Sequence, residues 1–293
     1  MSKITQALEK AARERLQREV VVREEDQATA ATHPVTVPIF VPGANEAVAI
    51  GEIRVDPHIV SATAVKSPIA EQYRILRTNL RSLRLRQTPK TLMVTSAMGG
   101  EGKSVTSLNL ALTLAQQDRL KVVLVDADLR RSSIYRWLGI AQPAKGLSTV
   151  LAEGGTLNGA LVKLASPALT ILPAGPRTDD PSALLESGSM RRLLSSLKAQ
   201  FDIVLIDTPP VLSVADASIL AAQVDGVLLV VKAGATQLKT VMEARHRLEQ
   251  MKASVVGCVL THADHYTPGY YRYYHDYQEE TRHDATAIPP TGS

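Results

Sequence analysis

Residues 91–105 read TLMVTSAMGGEGKSV, and this stretch decides the fold. The run Thr91 to Thr95 has the apolar, β-branched character of a buried strand. A glycine-rich turn follows, and a helical segment opens at Val105. Strand, glycine-rich turn, Gly-Lys-Ser and helix in that order are what a phosphate-binding loop requires. The glycines let the backbone turn tightly enough for successive N–H groups to face one anion. The start of the helix adds its partial positive charge. The loop runs Ala97, Met98, Gly99, Gly100, Glu101, Gly102, Lys103, Ser104, with Val105 beginning the helix. Residues 98–105 are therefore the predicted nucleotide-binding residues. Ala97 stands where such loops usually carry glycine. Lys103 is predicted to reach the β- and γ-phosphates of ATP, and Ser104 to coordinate Mg²⁺.

Outward from this loop, strands are expected at 91–96, 121–126, 169–173, 202–206, 226–231 and 255–260. Helices are expected at about 103–117, 189–199, 214–222 and 238–252. Strands apolar on both faces and separated by helices predict an α/β fold of the P-loop NTPase type, a mostly parallel sheet with helices on both faces. A further helix is predicted over 68–87, with Pro68 in its first turn and Ser67 as cap.

The domain reading is a helix at 1–26, a flexible linker at 27–57, the P-loop domain at 58–262 and a disordered tail at 263–293. In the first segment Ile4, Leu8, Ala11, Ala12 and Leu16 fall at helical spacing, which suits either a surface helix or a docking helix. Pro34, Pro38, Pro42 and Pro57 mark the linker, which has room for short extended pieces. The tail lacks apolar periodicity. It nonetheless holds Tyr266, Tyr270, Tyr271, Tyr273, Tyr274 and Tyr277, six of the chain's eight tyrosines.

Two more strands end in acid. Val122 to Val125 runs into Asp126-Ala127-Asp128-Leu129-Arg130, and Ile203 to Ile206 runs into Asp207-Thr208-Pro209-Pro210. In an open parallel sheet, ligands sit beyond the carboxyl ends of the strands. These acids therefore fall on the same edge as the P-loop, where Mg²⁺ seeks carboxylate oxygens close to phosphates. A lone acid at a strand end is often a helix cap, but three at one P-loop edge point to metal and proton chemistry. Two carboxylates at i and i+2 can divide the work, one holding metal while the other takes a proton from an attacking hydroxyl.

Composition sets bounds. The chain has 293 residues, 45% hydrophobic, with a formal net charge of +4. That charge gives no support for a nucleic-acid partner. The single cysteine, Cys258, lies in an apolar run and is expected to be a small buried hydrophobe in a reducing cytoplasm. The first 20 residues lack a secretory apolar segment. No run reaches the ~18 apolar residues of a membrane span, so any membrane association is expected to go through a partner.

Together, loop 97–104, the Asp126/Asp128/Arg130 motif, Asp207 and the tyrosine cluster resemble the bacterial tyrosine kinases, over roughly residues 60–277. These are autokinases associated with polysaccharide co-polymerases. The resemblance implies ATP-dependent phosphorylation of the tail tyrosines at 266–277, with Asp126 as base or holder of a metal-bound water. Asp128 and Asp207 would then sit at Mg²⁺ with Ser104. The helix carrying Glu71, Arg74 and Arg77, spaced three apart, would mediate ring assembly. The opening residues resemble the kinases encoded with exopolysaccharide loci. The implied partners are further copies of the chain, a separate membrane chain-length determinant as activator, and a tyrosine phosphatase. The implied location is cytoplasmic, peripheral to the inner membrane. The rival reading is a MinD/ParA-type regulatory ATPase or a nucleotide-gated scaffold. Against it stand Met98, where such loops carry a signature lysine, and the tyrosine cluster.

Overall fold

The computed structural model describes the backbone of residues 39–40 and residues 54–82, 90–116, 120–157, 159–164 and 168–263. The expected helix at 1–26, most of the expected linker and all six clustered tyrosines lie outside the described residues.

The strands are β1 (Ile39–Phe40), β2 (Thr91–Ser96), β3 (Val122–Asp126), β4 (Val162–Leu164), β5 (Leu169–Leu172), β6 (Ile203–Asp207), β7 (Gly226–Lys232) and β8 (Val255–Thr261). They form one sheet in the order β1-β4-β5-β3-β6-β2-β7-β8. From β5 to β8 every pairing is parallel. The edge pairs β4–β5 and β1–β4 are antiparallel. The parallel core is as the apolar runs predict. The antiparallel edge is not, because β4 is only three residues long and β1 only two.

Side chains alternate across the sheet and so build two cores. Leu92, Val94, Leu124, Leu205 and Val230 face one side. There they meet helix α3 (Lys103–Ala115) through Leu108 and Leu112. Helices α1 (Val60–Thr63) and α2 (Pro68–Ser82) lie over α3. This layering explains why α3 is buried nearly all round. Met93, Val123, Val125 and Ile206 face the other side. They meet α7 (Gly188–Gln200), α8 (Asp216–Ala221) and α9 (Leu238–Gln250) through Leu193, Leu197, Leu220 and Leu248. Three short helices complete the described elements: α4 (Ile134–Trp137), α5 (Leu147–Ala152) and α6 (Pro181–Glu186).

Ser67 caps α2 as expected, its Oγ accepting from Ala70 N at 3.1 Å. The helix ends at Ser82 rather than 87, and residues 83–89 are outside the description. Two expectations need correction. Val55 is buried and Asp56 N donates to Trp137 O at 2.9 Å, so the packed domain begins before residue 58. Ile39–Phe40, a short extended piece within the expected linker, pairs with β4. Cys258 is exposed, because β8 is an edge strand without a full covering layer. Among the described residues no helix is long and apolar enough to cross a membrane.

Leu124 is fully buried at the centre of the α3-side core. Leu124→Ala is expected to lower stability by about 2–5 kcal/mol, read as an earlier midpoint in urea unfolding.

Candidate nucleotide and phosphotransfer site

The sheet brings the sequence-predicted residues together. Strands β3, β6 and β2 are consecutive neighbours. Asp126 pairs with Asp207 across β3–β6, and Asp207 with Val94 across β6–β2. All three strands therefore end at one edge, and the P-loop leaves β2 there. Gly102 sits at φ 88°, in the left-handed region, immediately before α3. A side chain there is strained, and its Cβ would press on Thr261 Cγ2 at 3.3 Å. The first N–H groups of α3 have no acceptor within the helix, which leaves them for an anion.

Lys103 Nζ lies 3.0 Å from Asp128 Oδ2, 3.2 Å from Ser104 Oγ and 4.0 Å from Asp207 Oδ2. Asp207 is fully buried. Its Oδ1 accepts from Ser107 Oγ at 2.9 Å, while its Oδ2 has no hydrogen-bond partner. Asp126 is also fully buried. Its Oδ2 accepts from Ser132 Oγ at 2.8 Å and its Oδ1 from Asp128 N at 3.2 Å. Asp128 Oδ1 accepts from Arg131 N at 2.9 Å.

Three carboxylates thus share one lysine in a low-dielectric space. Burial, with Asp207 and Asp128 nearby, pushes the Asp126 pKa up to about 7 against the relief given by Ser132 and Lys103. Burial also raises Asp207, opposed chiefly by Lys103. For Lys103 burial acts downward, but Asp207 and Asp128 outweigh it, and the ammonium is held above its ordinary value.

Among the described residues no three His, Cys, Asp or Glu side chains are placed to enclose a metal by themselves. Mg²⁺ does not need such a cage, since it keeps several waters and takes other ligands from phosphates. A serine hydroxyl and one or two carboxylates are the donor set it uses. The unpartnered, buried Asp207 Oδ2 fits that set.

Several contacts have no counterpart in the sequence motifs. The Glu101 carboxylate does not face outward. It accepts from Met98 N at 2.9 Å and from Thr236 Oγ1, bracing the loop against the segment after β7. Thus the Met98 N–H is occupied by protein. Glu101 O accepts from Thr261 Oγ1 at 2.8 Å, which ties the end of β8 to the P-loop. Arg130 donates to fully buried Asp216 through Nε at 2.8 Å and a second nitrogen at 3.0 Å, and Ser182 Oγ joins them. This network pins the Asp126–Arg130 loop to the start of α8. A charged residue inside a glycine loop was a readable signal for Glu101. Ser107, Asp216, Thr236 and Thr261 carry no such signal, because their partners are distant in sequence, and Ser132, six residues from Asp126, matches no motif spacing.

Glu71, Arg74 and Arg77 lie on α2, away from this cluster. Arg74 pairs with Glu71 at 2.5 Å and also donates to Val65 O, while Arg77 donates to Thr113 O at 3.1 Å. Each guanidinium is thus engaged within the chain.

With the geometry in place, comparison with known proteins is informative. Residues 89–256 match the family described as "AAA domain". The chain is 36% identical over 221 residues to tyrosine-protein kinase YwqD of Bacillus subtilis, covering 74% of this chain and 92% of that protein. It is 35% identical over 190 residues to tyrosine-protein kinase CpsD of Streptococcus agalactiae, covering 65% and 82%. The solved kinase domain of Escherichia coli tyrosine kinase ETK superposes with a TM-score of 0.65 at 32% identity, covering 69% of this chain and 78% of that one.

The Asp126 pKa carries a stability consequence. It rises from 3.8 to about 7 on folding, so the folded state binds that proton more tightly than the unfolded state. The stabilisation is complete below about pH 4 and is lost as pH rises through about 7. The nucleotide-free protein should therefore lose melting temperature across that window. Asp126→Asn should flatten this part of the profile, as followed by circular dichroism.

Proposed function

The chain belongs to the bacterial tyrosine-protein kinase family, and from that membership we propose that it transfers the γ-phosphoryl group of Mg·ATP to tyrosines of its own C-terminal segment. The observation that carries this reading is the convergence of Lys103, Ser104, Asp126, Asp128 and Asp207 at the end of one P-loop strand. The acceptors are Tyr266, Tyr270, Tyr271, Tyr273, Tyr274 and Tyr277.

Each residue has a role in the proposal. The P-loop N–H groups and Lys103 hold the β- and γ-phosphates and stabilise the charge that spreads over the transferring group. Ser104, Asp128 and Asp207 hold Mg²⁺, which when bound neutralises phosphate charge. Asp126, with a pKa near 7, takes the phenolic proton as the tyrosine oxygen bonds to the γ-phosphorus and the β–γ bridging P–O bond breaks. A general base is most effective with a pKa close to the working pH.

Transfer runs in trans within a ring of identical chains, assembled through the α2 helix and Glu71, Arg74 and Arg77. Each added phosphate brings about −1.5 to −2 charge, so a multiply phosphorylated segment repels its neighbours and loosens the ring. In this proposal the switch serves exopolysaccharide polymerisation and export. A separate membrane chain-length determinant activates the kinase and holds it at the cytoplasmic face of the inner membrane. A tyrosine phosphatase resets it.

Purified protein incubated with Mg·ATP should acquire phosphotyrosine within residues 266–277, mapped by mass spectrometry. Lys103→Met should reduce the signal by at least about 100-fold, the scale of losing one transition-state donor. A chain ending before Tyr266 should show none. Mixing these two variants should restore phosphotyrosine on the Lys103→Met chain, and its failure to appear would refute transfer in trans. ATP turnover without phosphotyrosine, even with the activator segment present, would support the regulatory ATPase reading instead.

A further inference from the structure

The loops leaving β3 and β5 enclose an open cleft of about 260 Å³ beside the catalytic cluster. Its walls carry Arg130, Arg131, Arg136 and Arg177, with Tyr135 and Gln142. Gln142 Nε2 donates to Gly175 O at 3.2 Å and so fastens one wall to the other. Gly175 packs so closely on Gly146 that an added Cβ would stand 2.9 Å from its nitrogen. The cleft is therefore framed by rigid backbone.

Its charge is not spent internally. Arg130 is committed to Asp216. Arg136 donates to Ser132 O at 3.2 Å and lies 5.8 Å from the Tyr135 ring centroid. Arg131 and Arg177 are exposed, and among the described residues neither guanidinium has an ion-pair partner. The nearby Asp180 caps α6, accepting from Ala183 N at 3.0 Å. Two unpaired guanidinium forks next to an aromatic face are suited to a phosphate on an aromatic ring, since the fork matches phosphate oxygens bidentately.

We propose that this cleft holds the phosphate of an already phosphorylated tyrosine from the 266–277 segment of a second copy of the chain, presenting a further tyrosine to the catalytic cluster. The inference rests on the kinase reading above. The cleft begins where the cluster ends, since Arg131 N bonds Asp128 and Asp128 pairs with Lys103. β5 and β3 are neighbours, and β3 is two strands from β2. At ~4.8 Å per strand, the β3 wall of the cleft lies roughly 10 Å from the P-loop strand. An extended chain covers about 10 Å in three residues. Tyr270 and Tyr273, Tyr271 and Tyr274, and Tyr274 and Tyr277 are each three apart. One member of such a pair fills the cleft while the other reaches the cluster, so each phosphorylation favours the next.

The test uses full-length Lys103→Met protein, which does not modify itself, and two fluorescent peptides spanning residues 268–279. One is unmodified and the other carries phosphotyrosine at 274. Fluorescence anisotropy should show at least a tenfold preference for the phosphopeptide. Adding Arg131→Ala and Arg177→Ala should abolish the preference, whereas Arg131→Lys with Arg177→Lys should keep part of it. Circular dichroism melts establish that these variants are folded. Equal affinity for both peptides, or a preference that survives both alanine changes, would overturn the proposal. So would displacement of the phosphopeptide by equimolar inorganic phosphate, which marks a plain anion site. Arginine-dependent capture by phosphatidylglycerol vesicles without any peptide preference would also overturn it, in favour of a lipid headgroup. In the active chain, Arg131→Ala/Arg177→Ala should lower the ratio of multiply to singly phosphorylated species at least several-fold by intact mass. The binding arm needs no catalysis. Phosphopeptide preference without autophosphorylation would refute the kinase reading and sustain the cleft, while autophosphorylation without preference would refute the cleft alone.

Discussion

One largely buried ammonium stands among three buried carboxylates. Lys103 sits against Asp128, within 4.0 Å of Asp207, and near enough to Asp126 to act on its titration. A single positive charge does not balance three negative ones at low dielectric, so the cluster holds either a proton on Asp126 or an added cation. The surroundings keep this imbalance in place. Ser107 and Ser132 each donate to one buried carboxylate, Asp207 and Asp126, and Arg130 with Asp216 clamps the loop that carries the third. The parallel sheet matters because it brings two acidic strand ends into register at one edge.

A site built this way is poised between two charge states. With Asp126 protonated the apo cluster sheds one of its two excess negative charges. In the proposed reading, Mg²⁺ and a nucleotide would bring both the missing cation and a tetra-anion for Lys103 and the P-loop to hold. In the proposed reaction, binding is then coupled to release of a proton, and Asp126, which loses it, becomes the base. In that reading, the same electrostatic strain that weakens the empty site above neutral pH prepares it for phosphoryl transfer.

The sequence declared its fold through local patterns. The Gly-Gly-Glu-Gly-Lys-Ser turn after an apolar strand, and Asp126 and Asp207 closing two further strands, are each contiguous signals. The sheet positioned them as expected. What was illegible depends on distance along the chain. Ser107 meets Asp207 and Arg130 meets Asp216 only after folding, and no spacing rule joins them. The antiparallel edge escaped because two- and three-residue strands carry too little periodicity. Cys258 misled for a related reason, since an apolar run does not tell whether its strand lies in the middle or at the rim of a sheet. Glu101 read as one of the nucleotide-binding loop residues, whereas its side chain braces the loop.

The bond from Thr261 Oγ1 to Glu101 O gives the tyrosine segment a fixed origin. Everything beyond residue 261 is paid out from the rim of the phosphate loop, like a cord from a ring bolt. An extended chain gains at most about 3.6 Å per residue, so Tyr266 can stand no farther than about 18 Å from that anchor and Tyr277 no farther than about 58 Å. The six clustered tyrosines are therefore graded by length of cord, and in the proposed reaction this separates one confined to its own rim from one able to cross to a neighbouring copy. Order among them is written into the chain as a ruler, before any difference in chemistry between one tyrosine and another.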